Sequence, residues 1–156
     1  MKKNLNNFLL SLLISIPLLG ISQSISDTDL QEAKKAIEES NAIYFTSFEK
    51  NDASIFIDRY AKDACIMLPN APALCGVDAP KRFFEMAYGF GLRNGKFITQ
   101  EIFGIDREFV AETGLWETYD SKNELMDNGK FLVLWKKTDQ GWKIYRDSFN
   151  SNTPAN

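Results

Sequence analysis

Between Asp27 and Lys50, the apolar residues Leu30, Ala33, Ile37, Tyr44 and Phe48 recur on one helical stripe. The opening "SDTDLQEA" supplies a capping residue and early acids, as a helix N-terminus prefers. Asn41 falls on the same apolar stripe, and a polar side chain there needs a partner or a cavity. A short second helix is predicted from Ala53 to Tyr60. A third is predicted over "GVDAPKRFFEMAYGFG", with Asp78 at its start and Gly89 and Gly91 at its end. After Gly91 the period of the pattern falls from 3.6 to 2. Four strands are expected: Lys96–Phe103, Phe109–Tyr119, Gly129–Thr138 and Trp142–Phe149. "TDQG" reads as a tight turn between the last two, and "DSKNELMDNG" as a long polar tip. Helices followed by a run of strands make one α+β domain.

Between the helices lies "YAKDACIMLPNAPALCG", residues 60–76, which holds the only two cysteines. A hairpin centred near Asn70 sets Cys65 opposite Cys75, and opposed residues of an antiparallel pair lie within disulfide reach. Two buried free thiols are the alternative. A metal site is not expected, because two thiolates without histidine lack the other ligands. The compartment favours the disulfide. Residues 1–22 carry Lys2 and Lys3, an apolar core from Phe8 to Leu19, and small residues at Gly20 and Ser22. These features predict an export signal cleaved before Gln23, with a periplasmic or secreted product. An uncleaved anchor is the competing reading, weakened by the short core and by Pro17.

Residues 23–150 then form the domain and 151–156 a polar tail. Removing Lys2 and Lys3 takes the formal charge from −3 to −5. With no basic stripe, this leaves no electrostatic reason to bind nucleic acid or an anionic membrane. The chain has no histidine, which excludes a histidine base and the triads built on one. No nucleotide loop is present, so no cofactor is expected.

The order of elements, with "FEKNDASIFIDRYAKDACIMLPNAPALCG", "AETGLWE", "GKFLVLWKK" and "GWKIYRDSFNSN", resembles the SnoaL-like and ketosteroid-isomerase-like families of the nuclear transport factor 2-like superfamily. The resemblance implies a cone: three N-terminal helices packed on a strongly curved antiparallel sheet, with a pocket between the first helix and the concave face. It also implies a homodimer through the sheet. It does not select a reaction, because this fold hosts isomerases, cyclases, dehydratases and non-enzymatic association modules.

Polar residues in phase with apolar ones are the site candidates. On the second strand, Glu112 shares a face with Val110, Gly114 and Trp116, so it is the expected buried acid. On the last strand, simple alternation puts Trp142, Ile144, Arg146 and Ser148 on one face, and Lys143, Tyr145, Asp147 and Phe149 on the other. Arg146 and Asp147 therefore point apart unless a bulge intervenes. Both faces are partly apolar, and the pattern alone leaves open which is concave. Glu112 and Asp147 are the candidate catalytic carboxylates. Asn41, Tyr44, Met67, Trp116, Trp135 and Arg146 are the candidate ligand contacts. The expected function is an exported domain binding a small apolar molecule, with carboxylate acid/base chemistry if it is an enzyme. The alternative is an association module of the cell envelope.

Overall fold

The computed structural model describes residues 24–154. The predicted export signal, residues 1–22, lies outside them. Helix α1 runs Asp27–Tyr44, capped by the Ser26 hydroxyl, which accepts from the Asp29 amide. The expected helix to Lys50 is broken at Phe45, and α2 covers only Thr46–Lys50. Ser47 explains the break: its hydroxyl donates to the Tyr44 carbonyl at 2.6 Å, in place of the helical amide bond. The break turns Phe48 against Phe56 and Phe84, with ring centroids 5.5 and 4.8 Å apart. Helix α3 is shorter than expected, Ala53–Ile57, and Tyr60 belongs instead to strand β1, Tyr60–Met67. Strand β2 is Leu74–Cys75, and α4 is Ala79–Gly89, ended by Gly91 at φ 100°.

The remaining strands are β3 Asn94–Gly104, β4 Phe109–Tyr119, β5 Leu125–Thr138 and β6 Gly141–Ser151. The six strands form one sheet in the order β2-β1-β6-β5-β4-β3. Antiparallel pairing holds at every junction but one: β1 runs parallel to β6, so the sheet is mixed. Half of the stretch expected as a long polar tip, from Leu125 on, is strand. Asp120 accepts from the Lys122 and Glu124 amides, which closes a tight turn and lets β5 start at Leu125. The expected tail is held too: Ser151 and Thr153 donate to Asp127.

The sheet curls around α1. Two glycines make this possible by letting rings lie flat on the backbone. A Cβ at Gly114 would stand 2.8 Å from the Phe131 ring, and one at Gly129 would stand 2.8 Å from the Trp116 indole. The core is dominated by aromatic rings, among them the fully buried Phe48, Phe56 and Trp135. Burying one such side chain is worth roughly 1.5–3 kcal/mol.

Candidate functional site

The bulge the alternation left open is present in β6. Trp135 pairs with Ile144 but Leu134 with Arg146, so Tyr145 is the extra residue. It shifts the phase of the strand. Ile144, Asp147 and Phe149 all turn to the concave side, while Arg146 turns away. The concave side is the face of β4 that carries Val110, Glu112 and Trp116.

Between this face, α1 and α4 lies a cavity of about 80 Å³. Six of the predicted site residues line it: Asn41, Tyr44, Glu112, Trp116, Trp135 and Asp147. Two do not. Met67 is at the far end of β1 with its side chain toward solvent, because inward places on that strand fall to Ala64 and Ile66. Arg146 lies on the outer surface, where it stacks on Tyr145 and donates to the Asp63 carbonyl. Cys65 and Cys75 are paired across β1 and β2 and joined as a disulfide, with Cα atoms 4.1 Å apart.

The two carboxylates are held in different ways. Glu112 is 1% exposed and both its oxygens are occupied. Oε1 accepts from Asn41 at 2.8 Å and Thr99 at 2.6 Å, and Oε2 accepts from the Trp135 indole at 3.0 Å. Burial raises its pKa, against the pull of the three donors. Asp147 accepts one bond, from the Tyr60 hydroxyl to Oδ2 at 2.7 Å. Its other oxygen accepts none among the described residues. Burial, opposed by the Tyr60 bond and aided by the negative charge of Glu112, lifts its pKa from 3.8 to about 6. That lies in the range where a carboxylate exchanges protons near neutral pH.

The Tyr60 hydroxyl lies 3.4 Å from that of Tyr44. Burial and the Asp147 charge push both phenols well above 10, so they stay protonated and act as donors. Since Tyr60 gives its proton to Asp147, Tyr44 gives its own to Tyr60. Asn41 is likewise engaged with Glu112. The buried donor left on the cavity wall is Trp116, whose indole N–H has no acceptor among the described residues.

Pattern reasoning missed Tyr60 and Thr99. Thr99 sits two places from Phe97 on β3, an in-phase polar residue that signals it. Tyr60 gives no such sign, because it reads equally well as the end of a helix. Among the described residues, no three His, Cys, Asp or Glu side chains converge as a metal cluster needs.

Comparison with known proteins adds the fold. No family model matches the chain, and no curated protein matches it. Solved structures do. A ketosteroid isomerase-like protein from Erwinia carotovora atroseptica superposes with a TM-score of 0.65 at 18% identity, over 83% of this chain and 100% of its own. A protein of unknown function described as NTF-2 like, from Shewanella oneidensis, superposes with a TM-score of 0.63 at 19% identity, over 74% and 97%. The chain has the nuclear transport factor 2-like fold. A hexachlorocyclohexane dehydrochlorinase shares this fold with a TM-score of 0.66 at 13% identity, over 82% of this chain and 90% of its own. Identities this low establish the nuclear transport factor 2-like architecture and leave the chemistry to the site itself.

Proposed function

We propose that this protein is an exported, dimeric domain that binds a small organic molecule in its cone and uses Asp147 for cofactor-free proton transfer. One observation carries the reading: a buried, mostly apolar cavity contains a carboxylate with a pKa near 6 and one oxygen without a partner. Asp147 takes the proton. Glu112 is not the base, because both its oxygens already accept hydrogen bonds, from Asn41, Thr99 and Trp135. It fixes the Trp135 ring and keeps negative charge facing Asp147. The names of two structural neighbours, an isomerase-like protein and a dehydrochlorinase, agree with such chemistry by analogy of fold.

Two further parts of the proposal rest on other surfaces. The Cys65–Cys75 disulfide supports an oxidising compartment and hence export. On the outer sheet face, Ile98 pairs with Leu115, and Leu132 lies diagonal to it, all substantially exposed. A second copy covering this face accounts for them. The size of the cavity favours one rival. At about 80 Å³ it is far below the roughly 300–1,000 Å³ of drug-sized sites. A cone so nearly filled suits an association module that uses only the outer face.

Saturation-transfer NMR with a library of small organic fragments separates the two. The binding reading expects hits that vanish in a folded Val133→Phe variant, which fills the cavity. It also expects hits with acidic C–H groups to take up deuterium from heavy water, and to do so far more slowly with Asp147→Asn. The absence of any hit that the filled variant loses contradicts it.

A further inference from the structure

The cavity has an imbalance of charge. Its wall holds two carboxylates, Glu112 and Asp147, and no lysine or arginine. The titratable groups facing Asp147 are Tyr60 from β1, Tyr44 from α1 and Glu112 from β4, and none supplies a positive charge. Buried charges are ordinarily paired, and an unpaired one costs several kcal/mol or is neutralised. Among the described residues, no cationic side chain fills the position for a counter-ion inside the cavity.

Most of the rest of the wall is aromatic, with Leu92, Val133 and Ile144 among the exceptions. Phe83 meets Phe149 at 77°, Phe149 meets Trp116 at 89°, and Phe97 meets Phe131 at 74°. Rings set at such steep angles meet edge to face rather than stacking, and all five border the cavity. The π-face of an aromatic ring attracts a cation, most strongly where water is excluded. A cavity lined by rings and closed by a carboxylate with a spare oxygen thus selects for positive charge twice over. It selects against anions just as strongly, because no cationic donor could meet them.

We infer that the ligand of this cavity is a small organic cation, an alkylammonium group that sits among the rings with Asp147 as its counter-ion. The inference deepens the proposed function and rests on the same cavity. A bound cation holds Asp147 ionised inside the apolar cone, which is the state a base requires. The volume of about 80 Å³ fits a headgroup of a few heavy atoms. Asn41 and Tyr60 are already engaged with the two acids and Tyr44 with Tyr60, so ligands that demand many neutral donors gain little.

The test uses three probes of similar shape and different charge: tetramethylammonium, tert-butanol and trimethylacetate. Binding is followed by NMR shift titration of the full chain at pH 8 and pH 5. The expected order at pH 8 is tetramethylammonium first, at least about tenfold ahead of tert-butanol, with trimethylacetate not bound. For a group titrating at about 6, one part in about eleven is ionised at pH 5, so the cation's affinity falls about tenfold there. Asp147→Asn loses both the affinity and its pH dependence. A Phe149→Leu variant, folded and retaining Asp147, keeps the pH dependence at lower affinity. Equal or tighter binding of tert-butanol or trimethylacetate overturns the cation assignment and leaves the pocket standing. If no probe binds, the cation assignment is again overturned. The fragment screen then decides whether the pocket reading falls with it.

Discussion

Replacing Asp147 with asparagine should change how stability depends on pH. The folded pKa of Asp147 is raised, from 3.8 to about 6, so the native state holds its proton more tightly than the unfolded chain does. Stability therefore falls as pH rises from the unfolded value to the folded one, and the loss is complete above about pH 6. The full difference is about 3 kcal/mol, at about 1.4 kcal/mol for each tenfold change. Between pH 4.5 and 7.5, the same two values give a loss of about 2 kcal/mol. Asparagine cannot ionise, so Asp147→Asn should lack this component, while groups away from the cavity titrate as before. Its amide oxygen can still accept from Tyr60. Its NH₂ lacks a partner, a penalty of about 1–3 kcal/mol that does not vary with pH. Urea unfolding of both proteins across the range isolates the effect as the difference between two curves. Curves that run parallel would refute the reasoning, because Asp147 would then not be buried as a reluctant anion.

Other outcomes follow from the same structure. Cys65→Ser with Cys75→Ser opens a loop with a sequence separation of 10, and should destabilise the protein by about 3 kcal/mol in the chain-entropy account, read from urea midpoints. Trp135→Phe removes the only donor to Glu112 Oε2 among the described residues, together with part of a fully buried ring; about 2–4 kcal/mol should be lost in the same assay. Leu132→Glu places a charge on the outer face of the sheet. Sedimentation should show monomers in place of dimers, with the cavity probes still bound; dimers that persist would move the interface elsewhere.

The fold was legible in the chain because its signals are local and periodic. The helical stripe of α1, the change of period after Gly91 and the alternation along β4 each survive without tertiary information. The same alternation identified Glu112, whose neighbours Val110 and Trp116 are in phase with it. What failed depended on departures from periodicity. Arg146 and Asp147 do point apart, as the alternation expects, but a single bulged residue, Tyr145, puts Asp147 on the same side as Ile144, and nothing in "KIYRDSF" announces it. Ser47 broke a helix whose stripe runs on past the break. The parallel pairing of β1 with β6 joins residues 81 to 84 positions apart, such as Ile66 with Asp147 and Tyr60 with Ile144, beyond any local pattern. Asp147 was thus named as an acid but could not be placed, while Tyr60, its hydrogen-bond partner, was assigned to the wrong element.

The central claim is that Asp147 stands in an apolar cavity with one oxygen unpartnered, poised to exchange a proton near neutral pH. Carbon-detected NMR titration of the aspartate and glutamate side-chain carboxyls tests it directly. The account predicts one aspartate signal that titrates at about 6, absent from Asp147→Asn and moved to lower pH when tetramethylammonium is bound. An Asp147 carboxyl that titrates in the ordinary range near 4, with or without the cation, would contradict it.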